Sequence, residues 1–523
     1  MSEHDPGRRR FLLGSGALLG LGACRGPALI AGEAQRPQLL HGLQIGDVHA
    51  DQALIWARAD RTARLQVEWS TDPSFRQVQR VLGPEALEAS DYTAKLLLTQ
   101  LPVDRQLYLR VSFSDVSSPR LFSAPWLGQL RTAPSMPRDI RFLWSGDTVG
   151  QGYGISAAIG GMRIYEVMRN RHPDFFIHCG DTIYADNPVP ESQPVPEQPG
   201  VMWHNLVTPE KSQVAQTLAE LRGCYRYNLL DENVRRFNAQ VPQLWQWDDH
   251  EIINNWSPAK DLTNDQRYHV KSPQLLAANA KRAFLEYAPM VCDADSERAR
   301  IYRHIPYGPL LDVFIVDMQS YRGPNTPNQQ QQQSADTVFM GRPQLQWLKQ
   351  GLAASRAVWK VIAADMPLGL IVPDQVSPGD LRCEGIANTS GPPLGRELEL
   401  AELLSFIKAQ AIENCVWLTA DVHYTAAHYY DPTLARFNDF SPFWEFVSGP
   451  LNAGSFGPNQ PDDTFGLQVV YQKVSPVMNA SPLAGYQFFG EVDIEAATRN
   501  LTVTLRDVAD NALWSKTLEP KRT

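Results

Sequence analysis

The amino-acid sequence predicts an α/β (α+β) fold, with a sheet core flanked by helices and a small N-terminal antiparallel β-sandwich domain. Residues 41–135 consist of short alternating runs separated by Asp, Pro and Ser clusters, a pattern typical of antiparallel strands. After a proline-marked connection, apolar runs alternate with stretches of helical period, which is typical of a largely parallel or mixed sheet with both faces covered. We therefore predict a leader at 1–30, a β-sandwich domain at 38–135 and a larger domain at 138–523.

The larger domain is predicted to alternate strands with helices. Strands are predicted for the apolar runs at 140–145, 175–179, 241–247, 310–316, 358–364 and 415–419. Helices are predicted between them at 161–170, 213–230, 274–288, 343–354 and 397–410. Alternation returns at 485–518, where residues 510–512 are expected to turn a closing hairpin. The proline-rich segment 187–200 and the glutamine-rich segment 325–334 are either solvated loops or, because each follows a strand with acidic residues at its end, lids over a site.

Composition and charge exclude several classes of protein. The chain has 523 residues, of which 43% are hydrophobic and 20% charged, so it is too apolar for a disordered protein. Its formal net charge of −9 disfavours nonspecific binding to nucleic acid or anionic lipid, and we expect no specific nucleic acid binding. Past the N-terminus, no apolar run approaches the roughly 20 residues of a membrane helix, so no transmembrane segment is expected. This balance is typical of a soluble enzyme.

The N-terminal residues have the layout of an export signal. Residues 8–24 read RRRFLLGSGALLGLGAC: a basic cluster, an apolar stretch and then small residues. The Arg8-Arg9-Arg10-Phe11-Leu12 order resembles a twin-arginine signal, which implies export of an already folded protein by the twin-arginine machinery. Cys24 lies where a lipoprotein would be lipidated, and ordinary cleavage near Ala23 is the alternative. We expect a periplasmic, secreted or lipid-anchored protein of the cell envelope.

Acidic residues follow the predicted strands of the larger domain. They are Asp147, Asp181, the run Asp248-Asp249-His250-Glu251, Asp317, Asp365 and the run Asp421-Val422-His423. Ligands of α/β sheets bind beyond the carboxyl ends of the strands, so these side chains are expected to meet at one rim. Each motif alone is also compatible with a turn or a helix N-cap. Together, however, they would concentrate negative charge within about 10 Å, which is costly unless cations or protons offset it. Bound metal is the simpler solution.

Three of these motifs resemble a known family. Gly180-Asp181-x-x-Tyr184, Asp249-His250-Glu251 and Asp421-x-His423 resemble the dispersed signature of metallophosphoesterases, in particular the alkaline phosphatase D (PhoD-like) phosphatase/phosphodiesterase family. Trp247 before the acidic run and Asp317-x-x-x-Tyr321-Arg322 support the resemblance. It implies a metallophosphoesterase-like sheet core, with 138–523 as the catalytic domain.

The resemblance also implies a dinuclear or larger metal centre. Asp181 would be shared by two cations about 3.5–4 Å apart. Asp147, Tyr184 and His423 would complete the first site, and Tyr184 as a phenolate points to ferric iron. Asp249 and Asp421 would complete the second site with Asp181, and oxygen ligands favour calcium there, with zinc, manganese or magnesium as alternatives.

The implied activity is hydrolysis of small-molecule or polymeric phosphate esters, by a phosphomonoesterase or phosphodiesterase. A metal-bound water or hydroxide would attack phosphorus in line. His250 would protonate the leaving alkoxide or stabilise the transition state, Arg322 would clamp a phosphate oxygen, and Asn255 would donate a hydrogen bond. Two alternatives remain open: a metal-independent glycoside hydrolase with two catalytic carboxylates, and a non-catalytic surface binding protein stabilised by calcium.

Overall fold

The computed structural model describes residues 32–292, 299–374, 379 and 381–521. The predicted export signal at 1–30, including Cys24, lies outside the described residues. Within them, every helix is too short or too polar to span a membrane.

The chain contains the following helices and strands. The helices are α1 (Arg163–Asn170), α2 (Leu218–Asn228), α3 (Glu232–Gln240), α4 (Pro273–Tyr287), α5 (Arg342–Ala354) and α6 (Glu397–Ala409). The first twelve strands are β1 (Leu43–Gly46), β2 (Ala53–Arg58), β3 (Ala63–Ser70), β4 (Gln79–Ala86), β5 (Thr93–Leu98), β6 (Gln106–Asp115), β7 (Trp126–Arg131), β8 (Ile140–Ser145), β9 (Phe175–Cys179), β10 (Ser192–Pro194), β11 (Met202–His204) and β12 (Gln243–Gln246). The others are β13 (Arg303–Pro306), β14 (Leu311–Ile315), β15 (Trp359–Ala363), β16 (Leu370–Ile371), β17 (Cys415–Thr419), β18 (Thr425–Tyr430), β19 (Phe443–Val447), β20 (Gln460–Pro461), β21 (Leu467–Lys473), β22 (Phe488–Ile494), β23 (Leu501–Asp507) and β24 (Ala512–Leu518).

The N-terminal strands form the predicted antiparallel sandwich. One sheet has the order β4-β3-β6-β7, and alternate residues such as Leu65, Val67, Leu109 and Val111 share an apolar core with β1, β2 and β5. The second sheet does not end at the sandwich, because β1 pairs in parallel with β12 at Gly46 and Gln243. The sandwich is therefore joined through a sheet to the larger domain.

Two mixed sheets stack face to face in the larger domain. The first continues through the sandwich in the order β24-β23-β22-β8-β9-β12-β1-β2-β5, and the second has the order β13-β14-β15-β17-β19-β18-β21. Side chains of both sheets, including Trp144, Ile177, Val361 and Leu418, form one buried cluster between them. The sequence correctly predicted a sheet core flanked by helices, and the structure divides that core into two layers.

Helices cover the outer face of each sheet. Residues of α1 to α4 pack with Phe176 of β9 on one side, whereas α5 and α6 pack with Ile362 of β15 on the other. Phe175 and Ile177 point toward the second sheet and Phe176 toward the helices, which is the two-residue alternation of a strand buried on both faces. Helix α3 was not predicted; Asp231 begins it by accepting hydrogen bonds from the backbone N–H groups of Asn233 and Val234.

Candidate metal centre

Acidic side chains from both sheets converge at the carboxyl ends of the strands. Asp147, Asp181 and Asp249 follow β8, β9 and β12, which are neighbouring parallel strands of the first sheet. Asp421 and His423 follow β17 of the second sheet. Topology thus brings together residues that lie up to 276 positions apart in the chain, as the spacing of Asp147 and His423 shows (423 − 147).

Four of these residues have left-handed backbone conformations. The φ angles are 68° at Asp147, 52° at Asp181, 67° at Asp421 and 59° at His423. Such conformations cost free energy for residues other than glycine, and they are found mainly where the surrounding structure requires them, often at functional sites. The backbone N–H of Thr148 donates to the carbonyl of Asp181 at 2.8 Å, which ties the first two turns together.

Glycine is required before Asp181 because the strands approach closely. Gly180 has φ +98°, and a Cβ there would lie 2.5 Å from the Cβ of Asp248. A side chain at this position would push β9 and β12 apart. The Gly-Asp motif therefore has a steric reason that is separate from the chemistry of its carboxylate.

Two groups of side chains in the described residues have the geometry of a metal site. One consists of Asp147, Asp181 and His423, and the other of Asp181, Asp249 and His250. In each group the ligand atoms lie within 4.8 Å of one another. Asp181 belongs to both, the arrangement expected of a carboxylate shared by two cations. The second group contains His250, whereas the sequence had assigned Asp421 as its third ligand.

Tyr184 faces the first group. Its Oη lies 2.7 Å from His423 Nε2 and 3.5 Å from Asp147 Oδ1. The other nitrogen of His423, Nδ1, contacts the carbonyl oxygen of Gly454, so that Nε2 points into the cluster. The Phe456 ring stacks on the imidazole with a centroid separation of 4.4 Å and an interplanar angle of 19°. Tyr184, Asp147 and His423 therefore converge on one point.

The carboxylates of the cluster are buried without enough hydrogen-bond donors. Asp147 Oδ2, Asp181 Oδ2 and Asp249 Oδ1 have no hydrogen-bond partner. Burial raises the pKa of Asp147 to about 8, and burial together with the neighbouring carboxylates raises the pKa of Asp181 and Asp421 well above the usual range. Buried carboxylates lacking donors must bind either protons or cations. The donor set fits hard metal ions.

His250 is held beside this cluster by Asp186. The distance from His250 Nδ1 to Asp186 Oδ1 is 2.6 Å, and the backbone N–H of His250 donates to Asp181 Oδ1 at 3.1 Å. Burial alone would lower the pKa of the imidazole, but the charges of Asp186 and then Asp249 raise it to about 9. The charged form of the imidazole is therefore favoured in the metal-free protein, and its Nε2 lies 4.0 Å from Asp249 Oδ1.

Glu251 braces the backbone under the cluster. Its carboxylate accepts hydrogen bonds from the backbone N–H groups of Asp181 at 3.1 Å, Thr182 at 2.6 Å and Asp248 at 2.8 Å. It thereby joins the turn after β9 to the turn after β12. No role was predicted for Glu251, although its position three residues after Asp248 is the sequence signal of a capping box.

Arg322 lies behind the site rather than in it. Its buried guanidinium donates to Gln319 Oε1 at 2.8 Å and to the carbonyl of Glu384, and lies 3.6 Å from Glu384 Oε1. Gln319 Nε2 in turn donates to Asp248 Oδ1 at 2.8 Å and Asp365 Oδ2 at 2.9 Å. This position supports an indirect effect on the acidic residues and does not support the expected clamp on phosphate.

Asn255 lies at the edge of the site. Its backbone N–H donates to Asp249 Oδ2, and its side-chain amide donates to Asp374 Oδ1 at 3.0 Å. Asn255 also lines the cleft described below. The amide is therefore next to the expected substrate position, although it already has a partner.

An open cleft of about 220 Å³ leads to the cluster. The groups that line it include Asp181, Asp249, His250, Asp421, His423 and Glu384. Glu384 was not predicted; burial and the neighbouring Asp249 raise its pKa well above the usual range. Gln151 also lines the cleft, and its backbone N–H donates to Asn187 Oδ1, which packs the start of the proline-rich segment against the rim. A larger cleft of about 720 Å³, at the opposite ends of the strands beside Ile140 and Pro242, has no described lining residue in common with this site.

The sequence matches two family models and a related protein over most of its length. The family model of PhoD-like phosphatases matches residues 142–505, and that of the N-terminal domain of PhoD-like phosphatases matches residues 25–134. Alkaline phosphatase D of Bacillus subtilis (strain 168) is 23% identical over 485 residues, which cover 87% of this chain and 78% of that protein.

Solved structures share the fold. A structure of PhoD superposes with a TM-score of 0.68 at 17% identity and covers 93% of both chains. The purple acid phosphatase PPD1 from yellow lupin (Lupinus luteus) superposes with a TM-score of 0.54 at 12% identity, covering 92% of this chain and 74% of its own. The match of the family model over most of the larger domain, together with the converging acidic strand ends, establishes that the chain belongs to the PhoD-like phosphatase family.

Proposed function

We propose that this protein is an exported, metal-dependent phosphoesterase that hydrolyses organic phosphate monoesters or diesters. The observation that carries the proposal is the sharing of Asp181 by two groups of potential ligands, each buried and each containing a carboxylate oxygen without a donor. Such a pair of groups is suited to two adjacent cations, and two adjacent cations are suited to phosphoryl transfer.

We assign the metal ligands as follows. The first cation would be held by Asp147, Asp181, Tyr184 and His423, and the second by Asp181, Asp249 and Asp421. Burial raises the pKa of the Tyr184 phenol well above its usual range, so its deprotonation requires a strongly acidic cation such as ferric iron. Carboxylate oxygens at the second position favour calcium, with zinc, manganese or magnesium as alternatives. When bound, the cations supply Lewis acidity toward water and toward the phosphoryl oxygens.

The side chains around the cations complete the chemistry. Asp186 orients the His250 ring and, with Asp249, raises its pKa to about 9, so His250 would deliver a proton to the oxygen of the leaving alcohol. Its Nε2 lies on the side of Asp249, where the substrate would meet the second cation. Asn255 would donate to a phosphoryl oxygen after exchanging its partner Asp374. Arg322 would act on Asp248 through Gln319 and would not touch the substrate.

Four measurements test this proposal. Protein purified without added metal should contain iron and a second metal by elemental analysis, and chelation should abolish turnover. Assays of both p-nitrophenyl phosphate and bis-p-nitrophenyl phosphate should distinguish a phosphomonoesterase from a phosphodiesterase. Export by the twin-arginine route is tested by replacing Arg8 and Arg9 with lysine, which should retain the protein in the cytoplasm. Full activity of metal-free protein would refute the metal-dependent mechanism.

A further inference from the structure

The cleft has an acidic floor and an apolar rim. A short ribbon carries the rim: β16 pairs with β20, with Ile371 opposite Gln460. Val372 and Pro373 follow β16, Phe456 lies four residues before β20, and all three line the cleft. The side chain of Asn459 joins the two segments by donating to the carbonyl of Ile371 at 3.2 Å. Val372, Pro373 and Phe456, called the apolar wall below, therefore face the cleft from two segments that are joined beside the ligand groups.

Two residues of the apolar wall are fixed by contacts with the rest of the protein. Val372 packs against the hydrophobic cluster under the second sheet, and its carbonyl accepts a hydrogen bond from the backbone N–H of Glu384 at 2.9 Å. The Phe456 ring is fixed by stacking on His423. The apolar side chains of Val372 and Phe456 are therefore held in place beside the potential metal ligands before a substrate arrives.

The one cationic group that lines the cleft among the described residues, His250, is already paired, since its Nδ1 lies 2.6 Å from Asp186 Oδ1. No Lys or Arg is found among the described residues that line the cleft, whereas Asp181, Asp249, Asp421 and Glu384 are. The nearby cation Lys260 is occupied, since its Nζ donates to the carbonyl of Asn254 at 2.7 Å and lies 3.7 Å from Asp374 Oδ1. The carboxylates and one phosphoryl group would neutralise the charge of bound metal ions. Nothing in the described rim is left to attract a second anionic group.

We propose that the site selects phosphate esters whose substituent next to the phosphoryl group is apolar and uncharged, an aryl or alkyl group, and discriminates against esters with a second anion near phosphorus. This inference rests on the proposed function. The substituent would lie against Val372 and Phe456 while the phosphoryl group occupies the acidic floor. Burying one face of an aromatic ring against such a wall corresponds to roughly a tenfold gain in affinity.

Binding of non-hydrolysable phosphonates separates this inference from the activity. We would measure the dissociation constants of methylphosphonate, phenylphosphonate and 4-carboxyphenylphosphonate by calorimetry on the metal-loaded protein, and kcat/KM for the corresponding phosphate esters. Phenylphosphonate should bind roughly tenfold more tightly than methylphosphonate. The added carboxylate should weaken binding roughly five- to tenfold at low salt, and less at high salt.

The variant Val372→Ser tests the wall without touching a metal ligand. It should reduce the preference for phenyl over methyl roughly threefold, while methylphosphonate affinity stays unchanged. The matched control is Val470→Ser, an exposed valine of β21 outside the cleft, which should leave every constant unchanged. Equal affinity for the three phosphonates, or an unchanged preference in Val372→Ser, would overturn the inference even if the esters are hydrolysed. Selective binding without any hydrolysis would instead reject the proposed function and leave the selectivity intact.

Discussion

Replacing Asp181 by asparagine removes one charge from both groups of ligands at once. Asparagine has nearly the same shape and is among the residues that best tolerate left-handed backbone, so the φ of 52° at this position is preserved. Its side-chain oxygen can still accept the hydrogen bond that the backbone N–H of His250 donates to Asp181 Oδ1. The substitution therefore changes the charge of the centre and little else.

The size of the effect follows from Coulomb's law. The ligand atoms of each group lie within 4.8 Å of one another, so a cation among them is no farther than about 4 Å from the lost charge. At that distance and an effective dielectric constant of about 20, each unit of cation charge loses about 4 kcal/mol of attraction. If this loss appears in catalysis, kcat/KM falls at least about a thousandfold.

The assay is hydrolysis of p-nitrophenyl and bis-p-nitrophenyl phosphate, with metal content measured on the same preparation. The variant should stay folded, because the raised pKa of Asp181 shows that the folded metal-free protein already disfavours the charged form. Asp510→Asn is a matched control, since Asp510 is exposed and also has a left-handed φ, of 63°. Turnover by Asp181→Asn within tenfold of the unmodified protein would refute the shared-carboxylate reasoning.

Three further predictions concern the groups around the centre. His250→Ala should lower kcat roughly 100- to 10,000-fold without loss of metal. The control His204→Ala, at an exposed histidine, should leave kcat unchanged. Loss of metal from His250→Ala would instead show that His250 is a ligand. In thermal unfolding, metal should stabilise the protein more at pH 8 than at pH 5. Because the pKa of Asp147 is raised to about 8, the folded metal-free chain retains a proton that the unfolded chain releases near pH 4. The free energy of unfolding of the metal-free chain therefore falls as the pH rises from about 4 to about 8, and metal, which replaces that proton, offsets the loss. Glu251→Gln should lower the free energy of unfolding in urea by about 1–3 kcal/mol and weaken metal retention. The reason is that an amide would present an N–H group to backbone N–H donors that now bind a carboxylate. An unchanged midpoint of urea unfolding would contradict the bracing role.

The sequence was most informative where local pattern and topology agree. Six apolar runs predicted β8, β9, β12, β14, β15 and β17, and acidic residues that follow four of them, Asp147, Asp181, Asp249 and Asp421, lie at one rim. The reason is general: neighbouring parallel strands end at the same edge of a sheet, so carboxylates that directly follow several such strands lie close together. Asp147, Asp181 and Asp249 could therefore be grouped before any coordinates were known.

Features that depend on long-range packing could not be predicted from the sequence. Glu384 reaches the cleft from a loop without periodicity, and Asp249, the carboxylate whose charge most raises its pKa, is 135 residues away in the chain (384 − 249). Arg322 follows a strand like the acidic residues do, but its side chain turns into the core toward Gln319. The direction of a long side chain after a strand depends on neighbours from other elements, which a sequence pattern does not specify. The division of the core into two sheets escaped detection for the same reason, since both sheets have the same local pattern.

The division into two sheets determines the geometry of the centre. Asp147 and Asp181 belong to the first sheet, whereas His423 belongs to the second, so the distance between these ligands depends on how the sheets pack. Trp144 fills that interface and its Nε1 donates to the carbonyl of Thr419 at 3.2 Å, which joins the two sheets a few residues before their ligands. Close-packed interiors transmit small displacements, so a shift of the sheets would separate the ligands by a similar amount. The hydrophobic layer between the sheets therefore belongs to the candidate metal centre, because it sets the spacing between the two groups of potential ligands that share Asp181.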